Sequence, residues 1–228
     1  MKEKNIFQKL KDFWLRDVSF VALFLILLFF IFIIPILTEF YEDVDFLIEL
    51  SYLILYSTLI FSTEQKYLRK FVLVLFATLT VIKVYRLYFD TENLFVSELI
   101  LSLVMVMVFI YMNLQLLFRN KEINVYRIIG AVNIYLLMGV YGAISLTLIG
   151  QFHDNILSGN TDLSSSDNEF GMYIYYSLVS VTTVGYGDVY PNNVIVKQLS
   201  IFLSTFGILY PAIVIALLIN EKVAKKRS

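Results

Sequence analysis

The segment Thr182-Thr183-Val184-Gly185-Tyr186-Gly187-Asp188-Val189 decides the fold of this chain. It places glycine at two alternate positions, after a short aromatic stretch and before a long apolar run. Glycine has no Cβ and adopts left-handed backbone angles at little cost, so alternate glycines let successive carbonyl groups turn to one side. We therefore expect a row of backbone oxygens here, with the side chains of Val184 and Tyr186 directed away from it.

The composition is that of a membrane protein. Of the 228 residues, 59% are hydrophobic and 16% are charged, and the mean hydropathy is +0.76. Soluble domains carry roughly 25% charged residues. The chain has no cysteine, which excludes disulfides, thiolate metal sites and cysteine nucleophiles. Since no catalytic constellation or nucleotide-binding loop occurs either, we expect neither an enzyme nor a nucleic-acid-binding protein, and no cofactor.

Six apolar runs predict transmembrane helices, because about 20 residues are needed to cross the hydrocarbon core. The second run is short and contains Glu49. Between the fifth and sixth runs, residues 172–182 cover only about half of a bilayer. They predict a re-entrant helix that enters and leaves on the same side. The six runs cover residues 18–37, 46–62, 71–89, 94–118, 127–150 and 193–220.

Charge is segregated along the chain. All lysines and arginines except Lys83, Arg86 and Lys197 lie in, or at the edge of, the N-terminal segment, two alternate loops and the C-terminal tail. The other loops are acidic. Because cytoplasmic loops carry the excess of Lys and Arg, the pattern predicts a multi-pass cell-membrane protein with both termini in the cytoplasm.

These boundaries divide the chain into five parts. The N-terminal part is either a segment lying in the inner lipid headgroups or an ordinary basic flank. The basic tail is either an ordinary positive-inside flank or a segment that contacts anionic lipid headgroups. The linker is short, which favours a four-helix domain that packs on its own chain rather than on a neighbour. The parts are an N-terminal segment 1–17, a four-helix domain 18–118, a linker 119–126, a pore domain 127–220 and a tail 221–228.

The stretch from Tyr173 to Pro191 resembles the pore loops of voltage-gated-type potassium channels, which read aromatic residues, then TTVGYGD, then proline. TVGYG is the potassium selectivity filter of those channels. The resemblance implies a potassium channel with an all-α membrane fold of six transmembrane helices, a re-entrant pore helix and a filter. Its filter would be Thr183, Val184, Gly185, Tyr186 and Gly187, with K⁺ as the permeant ion bound by the carbonyls of the first four and the Thr183 hydroxyl. One filter per chain cannot enclose an ion, so a C4 homotetramer is implied.

Four further residues are expected to support the filter. In this family the aspartate after the filter, here Asp188, usually bonds to an aromatic residue of the pore helix. The tryptophan expected there is replaced by a tyrosine, either Tyr175 or Tyr176, so a hydroxyl would replace an indole N–H as the donor. Thr182 precedes the filter and completes this set.

The sixth span contains Gly207 and, four residues later, Pro211. Proline removes the hydrogen bond to the carbonyl of residue 207, and glycine loosens the same turn. The pair predicts a bend. Two interpretations stay open: a gating hinge like those of the family, or a fixed packing kink, since both residues are common in membrane helices.

The first four spans depart from the voltage-gated pattern. Those channels carry an arginine at every third position of the fourth span, whereas residues 94–118 contain no basic residue. Moving one charge across the membrane is worth about 2.3 kcal/mol per 100 mV, so we predict little voltage dependence. Glu49, Lys83, Arg86 and Glu98 lie at similar depth, and they are either a static cluster that neutralises itself or a weak sensor on the third helix.

Two alternatives to a voltage-independent potassium channel remain at this point. One is a weakly voltage-gated potassium channel. The other is a regulatory or potassium-uptake membrane protein that does not conduct as a homotetramer. Uptake proteins normally carry four related filter loops in one chain, and this sequence has one.

Overall fold

Helices form almost all of the computed structural model, which describes residues 19–40, 45–62, 66–89, 92–119, 125–159 and 169–227. The predicted N-terminal segment, 1–17, lies outside these residues. In chain order the elements are α1 (Ser19–Leu28), a π-helical turn (Phe29–Ile33), α2 (Ile34–Phe40), α3 (Asp45–Ser62), α4 (Lys66–Tyr88), α5 (Glu92–Arg119), α6 (Val125–Gly150), β1 (Leu157–Gly159), α7 (Glu169–Val181), β2 (Val189–Pro191) and α8 (Val194–Arg227).

A helix occupies the position of every predicted span, and the predicted all-α membrane fold is confirmed at that level. By length and composition, four segments of the described chain can cross a bilayer. The apolar part of α3 is shorter, at Leu47–Thr58, and α4 carries charges at both ends. The count of six crossings therefore stays a prediction. The four segments are Phe20–Leu37, Leu94–Gln115, Val125–Gly150 and Val194–Leu217.

Two helices extend beyond their predicted limits. Helix α4 begins at Lys66, ahead of the predicted start at residue 71, and α8 continues through the predicted tail to Arg227. Both extensions are rich in lysine and arginine, which are good helix formers. Hydropathy marks only the part of a helix that matches the hydrocarbon core, so charged extensions were missed.

The first predicted span contains a π-helical turn just before Pro35. Proline has no N–H, and its ring clashes with the carbonyl four residues earlier in a regular α-helix. The wider turn relieves this conflict, because the N–H of Ile34 bonds back to the carbonyl of Phe29, five residues earlier. The helix thus continues past Pro35 as α2.

The four-helix domain packs on α6 within one chain. Its arrangement relative to a neighbouring subunit stays a prediction. Arg127 is buried and donates from Nε to the carbonyl of Leu117, near the end of α5, at 2.7 Å. Asn133 donates to the carbonyl of Phe20 at 2.8 Å. A Cβ on Gly130 would lie 2.6 Å from the Phe20 ring, so α1 and α6 cross closely there.

The four predicted polar residues meet in one cluster between α3, α4 and α5. Lys83 Nζ lies 2.5 Å from Glu98 Oε1, and both residues are only 4% exposed. Arg86 also bonds Glu98, and its Nη2 lies 3.5 Å from Glu49 Oε1. Two cations thus face two carboxylates at contact distance. This pairing favours the static, self-neutralising interpretation over a sensor that moves.

Replacing Glu98 with glutamine should destabilise the protein strongly, because it leaves Lys83 buried without its counter-charge. Removing one partner of a buried ion pair typically costs about 3–5 kcal/mol. The matched variant Glu49→Gln removes a longer and more exposed contact, which should cost no more than about 1 kcal/mol. Thermal unfolding of both variants in detergent measures the difference, and equal effects would contradict the assigned burial of the cluster.

Candidate functional site

Helix α7, which is the predicted pore helix, packs on α6 through small residues. Ser177 is fully buried and donates to the carbonyl of Gly139 at 2.6 Å. A Cβ on Gly142 would lie 2.0 Å from the Ser177 hydroxyl, and one on Gly139 would lie 2.5 Å from Leu178. Small residues at such positions let membrane helices approach closely. The pore helix is therefore held at its middle, and Glu169 in its first turn suits the positive end of its dipole.

The C-terminal end of α7 is densely bonded. A helix leaves its last four carbonyls without partners in the helix, and here each of the four accepts a hydrogen bond. Leu178 O accepts from Thr182 N and Val179 O from Val184 N, at 2.8 and 3.2 Å. Ser180 O accepts from Thr183 N and from Ser204 Oγ, at 3.1 and 3.0 Å, and Val181 O accepts from Tyr135 Oη at 2.9 Å. These bonds fix where the next segment begins.

The segment after α7 alternates in backbone handedness. Thr183, Gly185 and Gly187 have φ values of +56°, +58° and +79°, whereas Val184 and Tyr186 between them do not have positive φ. The left-handed angles predicted for the two glycines are thus confirmed. Thr183 shares them although a β-branched residue rarely adopts positive φ. The hydrogen bond from its own N–H to Ser180 helps to hold it there.

The same segment is open to its surroundings in a single chain. Val184 is 52% exposed and Tyr186 is 72% exposed. Apart from the two adjoining residues, no atom of the described residues lies within 4 Å of a Cβ placed on Gly185 or Gly187. Both side chains are thus largely exposed in one chain, and the bracing by Val184 and Tyr186 stays a prediction.

Asp188 ends this segment and is held by the pore helix. Its Oδ2 accepts the Tyr175 hydroxyl, and its Oδ1 accepts the N–H of Val189 at 3.0 Å. The structure thus distinguishes the two candidate tyrosines, since Tyr176 instead bonds the Ser200 hydroxyl on α8 at 2.5 Å. The prediction that either could bond Asp188 is corrected to Tyr175 alone. Thr182 supports the segment differently, through its hydroxyl on Leu178 O at 2.8 Å.

Gly207 lies against the end of the pore helix. A Cβ there would lie 1.7 Å from the carbonyl oxygen of Val181, so only glycine permits this approach of α8 to α7. Helix α8 continues unbroken through Pro211. Close packing accounts for Gly207 without a moving part, and the gating hinge at Gly207 and Pro211 stays a prediction.

Sequence reasoning missed two sets of residues near this site. Tyr135 and Ser204 bond the end of the pore helix from neighbouring helices, and nothing in their local sequence separates them from other polar residues of membrane helices. The strand β1 pairs antiparallel with β2, and places Gly159 opposite Val189. Gly159 and Asn160 form a Gly-Asn pair, which is typical of turns, but a strand of three residues has no readable alternation.

Comparison with known proteins finds that this region is similar to ion channels. Residues 134–222 match the family model described as ion channel, which covers most of α6, the pore helix, the glycine segment and most of α8. Potassium channel K2 of Plasmodium berghei (strain Anka) is 37% identical over 83 residues, 36% of this chain and 5% of the relative. The chain thus spans a small part of that relative. No solved structure matches the chain significantly. The chain thus has a region similar to the ion channel family, and its described residues include helices apolar enough to cross a membrane.

Removing the Tyr175 hydroxyl should loosen the segment at Asp188. Tyr175→Phe loses a hydrogen bond to a charged group, a change worth about 1.5–3 kcal/mol, so the ratio of potassium to sodium permeability should fall. Tyr176→Phe is the matched control, because it loses only the bond to Ser200. Reversal potentials under a potassium–sodium gradient measure both, and an equal or larger fall in the control would contradict the assignment.

Substituting Gly207 with alanine should lower thermal stability, because the new methyl group meets a backbone oxygen that cannot rotate away. The gain in helix propensity, about 1 kcal/mol, is too small to offset a contact of 1.7 Å. Thermal unfolding of Gly207→Ala tests this. Normal stability combined with an altered open probability would instead favour the hinge.

Proposed function

We propose that this chain is one subunit of a homotetrameric potassium-selective channel, which conducts K⁺ passively and with little intrinsic voltage dependence. The observation that carries the proposal is the alternation of positive φ at Thr183, Gly185 and Gly187 with negative φ between them. That alternation turns consecutive carbonyls to one side. A row of carbonyls can replace the hydration shell of a dehydrated potassium ion.

The proposed ion sites are formed by the carbonyls of Thr183, Val184, Gly185 and Tyr186. The last carbonyls of α7 are already bonded, so the donors of residues 182–184 are used by the pore helix. The oxygens of the filter are left for the ion. The partial negative charge at the C-terminal end of α7 adds to this preference for a cation.

Four copies around one axis would complete the site. One chain leaves Val184 and Tyr186 exposed, and α8 presents apolar side chains over much of its length, among them Ile201, Phe202, Ile208, Leu209 and Ile213. Neighbouring subunits would cover part of this surface, and the rest would line the pore. The contacts would be heterologous and close into a ring.

The proposed voltage independence rests on the polar cluster. Helix α5 has no basic residue between Leu94 and Gln115, and the two cations of α4 are paired with Glu98. The two cations of α4 are therefore held by ion pairs and are not free to move through the field. The distribution of lysine and arginine supports a cell-membrane location with both termini in the cytoplasm.

Reconstituted protein in planar bilayers tests the proposal, with potassium on one side, sodium on the other, and steps through about ±100 mV. We expect reversal near the potassium equilibrium potential and an open probability nearly flat in voltage. Current without ion discrimination would contradict the filter, and a steep voltage dependence would favour the weakly voltage-gated alternative. A folded tetramer that never conducts would favour the regulatory role.

Gly185→Ala is the sharpest variant for the same recording. Within one chain a Cβ at this position meets no other described residue within 4 Å, so in a single subunit the substitution acts through the left-handed φ. Forcing a non-glycine residue into that region costs about 1–2 kcal/mol, and the alternating carbonyls should relax. We expect loss of potassium selectivity. Gly150→Ala, at the end of α6 with no positive φ, is the matched control and should keep it.

A further inference from the structure

The two short strands join the outer loop to the residues that follow the filter. Ser158 lies opposite Tyr190, and Gly159 lies opposite Val189. Beyond the strands, the N–H of Asn192 donates to the carbonyl of Ile156 at 3.0 Å. The Asn192 side chain reaches back to the carbonyl of Asn155 at 2.7 Å and to the Ser158 hydroxyl at 2.5 Å. We call residues 155–159 together with 188–192 the outer clasp.

The local chemistry of the outer clasp suits its geometry. A Cβ on Gly159 would lie 2.2 Å from the carbonyl oxygen of Asp188, so glycine alone allows the strands to come this close. The bond from Asn192 to Ile156 makes the adjoining pair, Leu157 and Pro191, a non-hydrogen-bonded one. Proline therefore sits where the ladder needs no donor.

The outer clasp acts on the filter because the filter is anchored at its two ends and is exposed between them. The inner end is fixed by the carbonyls of α7, the last of these bonds being Val184 N to Val179 O. From there to Gly187 the segment is exposed, and its glycines have open space around them. Asp188 is the next anchored residue. Tyr175 holds its carboxylate from one side, and β1 packs against its carbonyl from the other.

We propose that the outer clasp positions the outer end of the filter, and that Gly159, Ser158 and Asn192 are its positioning residues. By setting where the backbone of Asp188 lies, β1 sets the directions of the carbonyls at Tyr186 and Gly187, the two that precede it. This proposal rests on the proposed function. It assigns the outer loop a role in ion selectivity, beyond that of a solvated surface.

Gly159→Ala in the full-length tetramer tests the role directly. The methyl group must displace the Asp188 backbone, so we expect the ratio of potassium to sodium permeability to fall about tenfold, equivalent to roughly 1.4 kcal/mol. We also expect a smaller difference between the Tm in potassium and the Tm in sodium, because the outer ion positions bind K⁺ less tightly. Gly150→Ala is the matched control, since its Cβ would meet only the end of the Tyr173 side chain closely, at 3.1 Å.

These two readouts separate positioning from simple stability. A merely structural role would lower the Tm equally in both ions and leave the permeability ratio unchanged, and that result would overturn the proposal. Asn192→Leu, which keeps the size of the side chain but removes its donor, and Ser158→Ala give smaller local changes if Gly159→Ala fails to assemble. They should shift both readouts in the same direction, and assembled variants with wild-type values of both would overturn the proposal.

The same recording on the wild-type protein distinguishes failure of the proposed function from failure of the outer-clasp proposal. If the wild-type protein itself fails to discriminate potassium from sodium, the proposed function is wrong, and the outer clasp has no filter to position. If the wild type discriminates and the variants of the outer clasp do so equally well, the proposed function stands and only the outer clasp is refuted.

Discussion

Every backbone N–H and C=O at membrane depth must find a partner, because lipid offers none. Helices meet this condition internally, and the stretch from Thr182 to Asp188 does not, since it leaves the helix at Val181. The structure resolves the conflict because the N–H groups of residues 182–184 donate hydrogen bonds to the open carbonyls of α7. Both sets of groups are then satisfied, because the unpaired carbonyls of the helix end bond the unpaired N–H groups of the irregular segment. What remains are the carbonyls of that segment, which need a cation or water.

This solution works only if the surrounding helices come close to α7. Tyr135 and Ser204 reach the carbonyls of Val181 and Ser180 from α6 and α8. Gly207 brings α8 into contact with the Val181 carbonyl, and Gly142 makes room for Ser177. The glycines of α6 and α8 and the polar groups at the C-terminal end of α7 thus serve one purpose, which is to keep donors and acceptors close enough to bond. A larger residue at any of these positions would separate a donor from its acceptor, and a buried group left unpaired costs about 1–3 kcal/mol.

The sequence predicted the features that depend on composition and local chemistry. Apolar runs marked the spans, and Gly185 and Gly187 predicted left-handed angles that the structure confirms. It could not decide features set by how helices rotate against each other. Tyr175 and Tyr176 are neighbours, and only the orientation of α7 turns one toward Asp188 and the other toward Ser200.

The same limit applies to Gly207 and to the outer loop. As a residue in a helix, Gly207 could loosen or pack, and the distance to Val181 appears only once α7 and α8 are assembled. The strand β1 is three residues long, and its partner lies beyond the filter in sequence. Local periodicity carries no information about a pairing of that kind, which depends on tertiary contact.

The contact between the four-helix domain and α7 bears on how the proposed channel could open. A cavity of about 330 Å³ lies between the polar cluster and the first turns of α7, lined by Lys83, Arg86 and Glu98 on one side and by Glu169, Phe170 and Tyr173 on the other. The Phe170 ring also packs edge-on against Phe30 of the π-helical turn, at 5.2 Å between ring centres. The cations of α4 and the first turns of α7 thus line one cavity.

Two free energies decide whether the membrane potential could drive a shift of α4: the energy released by the field and the cost of breaking the ion pairs. Two charges crossing the whole field would release about 4.6 kcal/mol per 100 mV, at roughly 2.3 kcal/mol each. Separating Lys83 from Glu98 would leave buried charges unpaired, at a cost of about 3–5 kcal/mol. Even the transfer of both charges across the whole field would therefore only offset the cost of separating the pair. Since both cations lie near the outer end of α4, bonded to a neighbouring helix, the field available to them is smaller still. A stimulus that acts on the pore helix or on α8 directly would not have to break these pairs.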